Sequence, residues 1–184
     1  MFRTNIKITT DFPFLKTERL VLRQIMPADQ MQVYLGLSNR QVIKYYGVEY
    51  HSFPDTGEQM KWYQELYENK TGLWWAITLG GNELVGACGY YNLQAPHRKG
   101  ELGYWLLPAY WRQGLMQEAL QIVIPYGLRN LNLHRIEAYV ETENQASGQL
   151  LRRLGFQHEG TLQDAEIKNG RFISLDVFAM RNNY

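Results

Sequence analysis

A mixed α/β fold is the class this sequence predicts, and three observations predict it. First, the hydrophobic period changes along the chain: helical spacing dominates the early part, and strand-like runs begin at Leu73. Second, Gly80-Gly81-Asn82 and Asn169-Gly170 each separate two such runs, which is hairpin chemistry. Third, a late segment opens on Asn144, a helix N-cap residue, and closes on Gly155, which suits a C-terminal cap.

Each element follows in order. Arg19–Gln24 (Arg-Leu-Val-Leu-Arg-Gln) reads as a first strand. Pro27-Ala28-Asp29 opens a helix whose apolar side is Met31, Tyr34, Leu35 and Leu37. Gln41–Phe53, rich in aromatics, reads as a short helix followed by a loop. Pro54-Asp55-Thr56 opens a further helix with Met60, Tyr63, Leu66 and Tyr67 on one side, ended by Asn69-Lys70-Thr71-Gly72.

Leu73–Leu79 and Glu83–Asn92 are the strands of a hairpin, and a loop through Pro96-His97-Arg98-Lys99 leads to a third run, Gly100–Leu107. Pro108 to Gly114 is a turn discharging into a helix from about Gly114 to Arg129. Met116, Ala119, Leu120 and Val123 form its apolar face, opposite Gln117, Glu118 and Gln121. Pro125 cannot donate to the Gln121 carbonyl, which predicts a kink or an early end. His134–Glu141 is a strand in which Ile136, Ala138 and Val140 alternate against Glu137 and Tyr139. A helix from Asn144 to Leu154 and a closing hairpin, Phe156–Ile167 and Arg171–Met180, complete the chain.

At 184 residues and 45% hydrophobic, the length predicts one domain. Such a chain buries roughly 70% of its unfolded surface, so its core needs neither disulfide nor metal. Nineteen Lys plus Arg against eighteen Asp plus Glu give a formal charge of +1. Neither half is charge-biased: nine of each sign up to Asn92, then ten basic and nine acidic residues. That balance argues against a nucleic-acid or anionic-membrane surface. Cys88 is the single cysteine, excluding an intramolecular disulfide and a multi-cysteine zinc site. No apolar run reaches the ~18 residues of a membrane span, and Met1–Lys7 lacks the apolar core of a secretory signal. The expectation is a soluble cytoplasmic protein with no nucleic-acid partner, no membrane partner and no metal.

The element order, together with several short pieces, resembles the GNAT (GCN5-related N-acetyltransferase) superfamily, and within it the RimJ/RimL-like ribosomal-protein N-terminal acetyltransferases. The matching pieces are Glu101-Leu102-Gly103-Tyr104-Trp105-Leu106 and the run from Tyr110 to Leu120. They also include Leu133-His134-Arg135-Ile136-Glu137-Ala138, Asn144-Gln145-Ala146-Ser147, Leu154-Gly155-Phe156 and the opening Thr17–Arg23. The resemblance implies a mostly antiparallel twisted sheet of about seven strands with a splayed parallel pair, and four helices. It implies an N-terminal extension over residues 1–14 and one acetyltransferase domain over residues 15–184. The splay is expected between the Gly100–Leu107 and His134–Glu141 strands.

The implied co-substrate is acetyl-CoA, whose pyrophosphate needs an anion cradle. A helix N-terminus offers unpaired amides and partial positive charge, and a residue without Cβ admits phosphate oxygens to the backbone. Gln113, Gly114, Leu115 and Met116 are therefore the expected backbone contacts, with Arg112 beside them and Leu106 and Leu107 at the preceding strand end. The bland alternative is that Gly114 is only a turn residue. Two positions depart from the superfamily signature: Trp111 stands where Gln or Arg is usual, and Met116 where Gly or Ala is usual. Met116 is bulkier than the usual residue, which limits how closely a phosphate sits on its amide; the alternative is that its helical face points the side chain into the core and leaves the amide usable.

Acetyl transfer to an amine needs a neutral nitrogen and a proton for the thiolate. Protein α-amines titrate near ~8 and lysines near ~10.4, while an alkyl thiol near ~8.5 is a tolerable leaving group. Glu101 is the candidate general base, directly or through water, on one strand face with Gly103 and Trp105. Its alternative is a solvated carboxylate or one paired with Arg98 or Lys99. The resembled group carries a serine where Ser147 stands, which makes Ser147 the candidate to stabilise or protonate the thiolate. A tyrosine used later in that helix by other members is missing here. Asn144 is expected to cap the helix and to contact the pantetheine arm, and local capping is also the alternative for Ser147.

Two functions remain in view. One is an acetyl-CoA-dependent N-acetyltransferase acting on a protein N-terminus or a small-molecule amine by direct attack in a ternary complex, with a homodimer left open as its assembly. The other is a non-catalytic acyl-CoA-binding or regulatory module of the same fold, motivated by the Trp111 and Met116 departures.

Overall fold

The computed structural model describes residues 6–182; Met1–Asn5 of the amino-terminal stretch and residues 183–184 lie outside the described residues. Its strands are β1 Leu15–Lys16, β2 Leu20–Gln24, β3 Leu73–Leu79, β4 Leu84–Gln94, β5 Lys99–Leu106, β6 Arg135–Glu141, β7 Gln157–Lys168 and β8 Arg171–Arg181. Its helices are α1 Gln30–Leu37, α2 Arg40–Ile43, α3 Thr56–Glu68, α4 Leu115–Arg129 and α5 Gln145–Arg153. The strands form one sheet in the order β1-β2-β3-β4-β5-β6-β8-β7.

Among the described residues this gives eight strands and five helices, one more of each than the resemblance implies. The extra strand is β1, folded onto β2 by a tight turn in which the Thr17 amide donates to the Leu20 carbonyl at 2.9 Å. The extra helix is α2, the short helix expected at the start of Gln41–Phe53, a single turn that the Asn39 side chain caps by accepting from the Gln41 amide. Other boundaries differ from expectation by a residue or two, as helix and strand ends generally do.

Two apolar layers sandwich the sheet. On one face Leu115, Leu120 and Val123 of α4 and Leu151 of α5 pack with Leu73, Trp75, Ile136 and Phe178. On the other, Val33 and Leu37 of α1 and Tyr63 and Leu66 of α3 pack with Trp74, Ala76 and Trp105. Of the apolar side its sequence suggested, helix α1 buries Leu37, while Met31 and Leu35 are 47% and 49% exposed. Instead Gly36 turns inward, because the Trp105 ring fills the space where its Cβ would stand. In α3 the fully buried positions are Thr56, Gln59, Tyr63 and Leu66, with Met60 and Tyr67 at the margin. Helix α4 runs past Pro125 to Arg129 without the early end. The apolar side it buries offsets the one lost backbone bond.

The feature that positions a site is the contact between β5 and β6. It is the parallel pair of the sheet, and it has three register pairs only: Lys99 with Arg135, Gly100 with Ile136, and Glu101 with Glu137. Beyond Glu101 strand β5 continues to Leu106 bonded to β4, while β6 continues to Glu141 bonded to β8. The two strands therefore diverge at Glu101, as the expected splay requires. The closed end is tied by the His134 amide donating to the Arg98 carbonyl at 2.6 Å.

Candidate active site

At the far end of the opening, β5 runs into the turn that starts α4. Gly114 is the N-cap, at φ +75°, a left-handed backbone that glycine adopts without strain. Arg112 is also left-handed, at φ +60°. The first helical bond of α4 is Glu118 N–H to the Gly114 carbonyl, 3.0 Å, so the amides of Leu115, Met116 and Gln117 precede the helical ladder. No side chain caps them. Leu115 is buried and Met116 packs against the α4-side core, while Arg112, Gln113 and Gly114 are exposed. This end of α4 suits an anion such as a diphosphate.

Three side chains brace the turn. The Trp111 indole N–H donates to the Leu106 carbonyl at 2.7 Å, and the Gln113 side-chain amide folds back to the Ala109 carbonyl at 2.9 Å. Arg19 donates from Nη1 to the Gln113 carbonyl at 3.1 Å and from Nε to Glu118 Oε2 at 2.6 Å. Thr17 Oγ1 completes the clasp on Glu118. Burial raises the Glu118 carboxyl, but its bonds to Thr17 and Arg19 outweigh this and hold it below the usual range. Sequence reasoning missed Arg19 and Thr17, which stand about a hundred positions from Glu118.

Leu106 and Leu107 are engaged by the fold itself. The Leu106 side chain is buried and its carbonyl takes the Trp111 indole. The Leu107 amide donates to the Val85 carbonyl at 2.9 Å.

On the α5 side, Asn144 caps the helix by accepting from the Ser147 amide at 3.2 Å. The Ser147 hydroxyl lies 2.6 Å from the Tyr104 hydroxyl on β5. Burial pushes the Tyr104 hydroxyl up to about 12, opposed by the bond to Ser147. Sequence reasoning had named Ser147 without its partner. The available signal was alternation, which turns Tyr104 away from Glu101 and toward the α5 layer.

Glu101 lies on the opposite face, at the point where the strands diverge. Its carboxylate accepts from Asn92 Nδ2 at 2.5 Å. Asn92 is left-handed, at φ +48°, in the irregularity of β4 between Tyr91 and Gln94, which aims its amide across the pair. Neither anticipated cation pairs with Glu101: Arg98 bonds Asn132 at 2.8 and 2.6 Å, and Lys99 bonds Glu137 at 3.2 Å. Glu137, read from its alternation as a polar-face residue, is only 6% exposed. Burial raises its carboxyl, but Arg135 at 2.6 Å and Lys99 outweigh this and hold it low.

Three further side chains take structural places. Cys88 is fully buried, which pushes its thiol up. His158 bonds Asp176 at 3.0 Å, and Arg152 stacks on the Phe178 ring at 5.0 Å. Among the described residues no three His, Cys, Asp or Glu side chains gather as a metal site, and no helix is long and apolar enough to cross a membrane.

Comparison with known proteins gives the family and the fold. The family model described as an acetyltransferase (GNAT) domain matches residues 19–157. The uncharacterized N-acetyltransferase YoaA of Bacillus subtilis (strain 168) is 37% identical over 171 residues, 92% of this chain and 97% of that protein. The [Ribosomal protein uS5]-alanine N-acetyltransferase of Escherichia coli (strain K12) is 28% identical over 166 residues, 86% of this chain and 85% of that protein. Among solved structures, the ribosomal L7/L12 α-N-protein acetyltransferase RimL superposes with a TM-score of 0.85 at 22% identity, over 93% of this chain and 95% of that one. The spermidine N-acetyltransferase of Vibrio cholerae, in complex with CoA and spermine, gives 0.80 at 23%, over 90% and 96%. The chain belongs to the GNAT acetyltransferase family.

Proposed function

We propose that the protein transfers the acetyl group of acetyl-CoA to a primary amine, a protein N-terminal α-amine or a small-molecule amine, by direct attack in a ternary complex. One observation carries the reading: Glu101 and the Tyr104–Ser147 hydroxyl pair stand on opposite faces of β5, beside the point where β6 leaves it. A base on one face and a hydroxyl donor on the other is the arrangement that acyl transfer needs.

Acetyl-CoA supplies the activated acyl carbon and the thiolate leaving group. The Gly114, Leu115 and Met116 amides hold the diphosphate, with Arg112 and Gln113 at the rim. Asn144 and the strand end at Leu106 and Leu107 border the opening that the pantetheine arm enters. Glu101, directly or through one water, accepts the proton of the attacking amine as the N–C bond forms. Ser147, in its bond with Tyr104, donates to sulfur as the C–S bond breaks, and solvent restores that proton. Positioning both partners in one cleft contributes further orders of magnitude.

A cytoplasmic setting belongs to the same proposal, supported by relatives that acetylate ribosomal proteins. The test is thiol release from acetyl-CoA against panels of peptides and amines, with calorimetry for CoA. Acetylation of a defined amine is the expected result. CoA binding without turnover on any amine would mean a binding module, and no CoA binding at all would remove both readings.

A further inference from the structure

Trp74 holds the one buried side-chain donor without a hydrogen-bond partner among the described residues, its indole N–H. The residue is 3% exposed. The chain satisfies its other two buried indoles: Trp75 donates to the Pro13 carbonyl at 2.8 Å and Trp105 to the Tyr63 hydroxyl at 3.2 Å. A buried donor left unpaired is costly, so a fold that pairs two buried indoles and leaves the third calls for an explanation.

The location of the ring supplies one. Trp74 is in register with Gly89 on β4, and Gly89 with Gly103 on β5. A Cβ on Gly89 would stand 2.7 Å from Trp74 Cγ, and one on Gly103 would stand 2.7 and 2.8 Å from Cζ2 and Cη2. The indole thus lies across two glycines, with its benzo edge over the stretch of β5 that β6 has left. Nε1 is covalently two bonds from Cζ2, so the orphan donor sits on the edge beside Gly103. Tyr91 closes in next to it, its Cε1 3.3 Å from the same hypothetical Cβ. Gly103 is two residues past Glu101 on the same face, an advance of about 7 Å along the strand.

We infer that Trp74 is a specificity-determining residue whose indole N–H hydrogen-bonds an oxygen of the acceptor, so that the favoured acceptor is an amine with a carbonyl on the adjacent carbon. The spacing fits. An α-aminoacyl group holds its nitrogen and carbonyl oxygen about 3 Å apart, and hydrogen bonds of about 2.8 Å at each end extend the span to about 8 Å. Glu101 at one end takes the amine and Trp74 at the other takes the oxygen. A plain alkylamine or polyamine has no oxygen to offer and leaves the donor unpaired, which is the strongest route to discrimination between acceptors. The inference rests on the acetyltransferase reading above.

The experiment uses the full chain saturated with CoA or acetyl-CoA and two acceptors, a tripeptide amide with a free N-terminus and butylamine. In 15N spectra of the indole N–H groups, the Trp74 signal is expected to move downfield with the peptide and to stay in place with butylamine. In kinetics, Trp74→Phe is expected to lower the preference for peptide over butylamine about tenfold, mainly through KM for the peptide, the size of one neutral hydrogen bond. An indole signal that ignores the peptide, or answers both acceptors alike, overturns the inference. So does a preference unchanged in Trp74→Phe. The spectral readout needs no variant to fold. A chain that binds CoA yet acetylates neither acceptor fails the transferase reading instead, a separate result.

Discussion

The hydroxyl oxygens of Tyr104 and Ser147 lie 2.6 Å apart, joining β5 to the first turn of α5 on the face opposite Glu101. Either oxygen can donate, so the pair presents one proton outward while the inner bond fixes both rotors. In the proposed mechanism, Ser147→Ala leaves Tyr104 as the one hydroxyl of the pair to donate to sulfur. We expect kcat to fall about tenfold, because an alkyl thiolate needs only modest help. Tyr104→Phe should cost less, since Ser147 remains. Burial pushes the Tyr104 hydroxyl up to about 12, so it stays protonated through neutral and mildly alkaline pH. The wild-type pH–rate profile should therefore show no loss from this group below about pH 10. A fall centred lower that disappears in Tyr104→Phe contradicts the assignment.

Glu101→Gln keeps the size and the bond to Asn92 but cannot take a proton. The expected loss in kcat at pH 7 is about a hundredfold. An α-amine titrates near ~8, so it supplies its own neutral form as pH rises. The deficit should be greatest near pH 6.5 and shrink steadily toward pH 9.5. A pH-independent deficit points to a binding role for the carboxylate instead.

Arg19 and Glu118 fasten the turn at the head of α4, and Arg19 also holds the Gln113 carbonyl. Glu118→Gln loosens a turn that carries two left-handed residues, Arg112 and Gly114. Calorimetry should show CoA affinity weakened by about tenfold. The pH dependence follows from the lowered Glu118 carboxyl. Its contribution is complete above the unfolded value near ~4.3 and is lost as pH falls through the lower folded value. Affinity in the wild type should thus be flat from pH 6 to 8 as far as this group is concerned. Arg19 is nearly half exposed, so solvent screening keeps its effect on folding stability small.

What sequence could show here was local. The Asn144 cap, the left-handed glycines at 114, 155 and 170, and the hairpin turns each follow from a few adjacent residues, and the structure has them in place. Burial went astray where the deciding neighbour is distant in the chain. Helix α1 is oriented by the fit of Gly36 against Trp105, so the apolar Met31 and Leu35 face outward despite their spacing. The same limit applies to the site: Ser147 and Glu101 could be singled out one at a time. Their partners Tyr104 and Asn92, and the Arg19–Glu118 clasp, emerge only from the pairing of strands and the placing of helices. Period-2 alternation assigned Glu137 correctly to the face opposite Ile136. It carried no information on the two cations that bury the residue there.

Those cations make Glu137 the test of what holds the closed end of the cleft. Lys99 and Arg135 flank it: Arg135 contacts Glu137 at 2.6 Å and reaches on to Glu159 at 3.0 and 2.5 Å. Lys99 and Arg135 are themselves a register pair of the β5–β6 contact, so Glu137 ties the two strands together just before they diverge. Glu137→Ala leaves Lys99 without its carboxylate and Arg135 with Glu159 alone, and we expect a destabilisation of about 2 kcal/mol in denaturant unfolding. Glu137→Gln, which keeps the hydrogen-bonding shape, should lose less. The sign of the pH effect follows from the folded carboxyl lying below its ordinary value. The stabilisation is present above the unfolded value near ~4.3 and disappears as pH falls through the folded one. Wild type and Glu137→Gln should therefore differ at pH 7 and converge toward pH 3. A gap that persists in acid would assign the loss to packing rather than to the ion pairs.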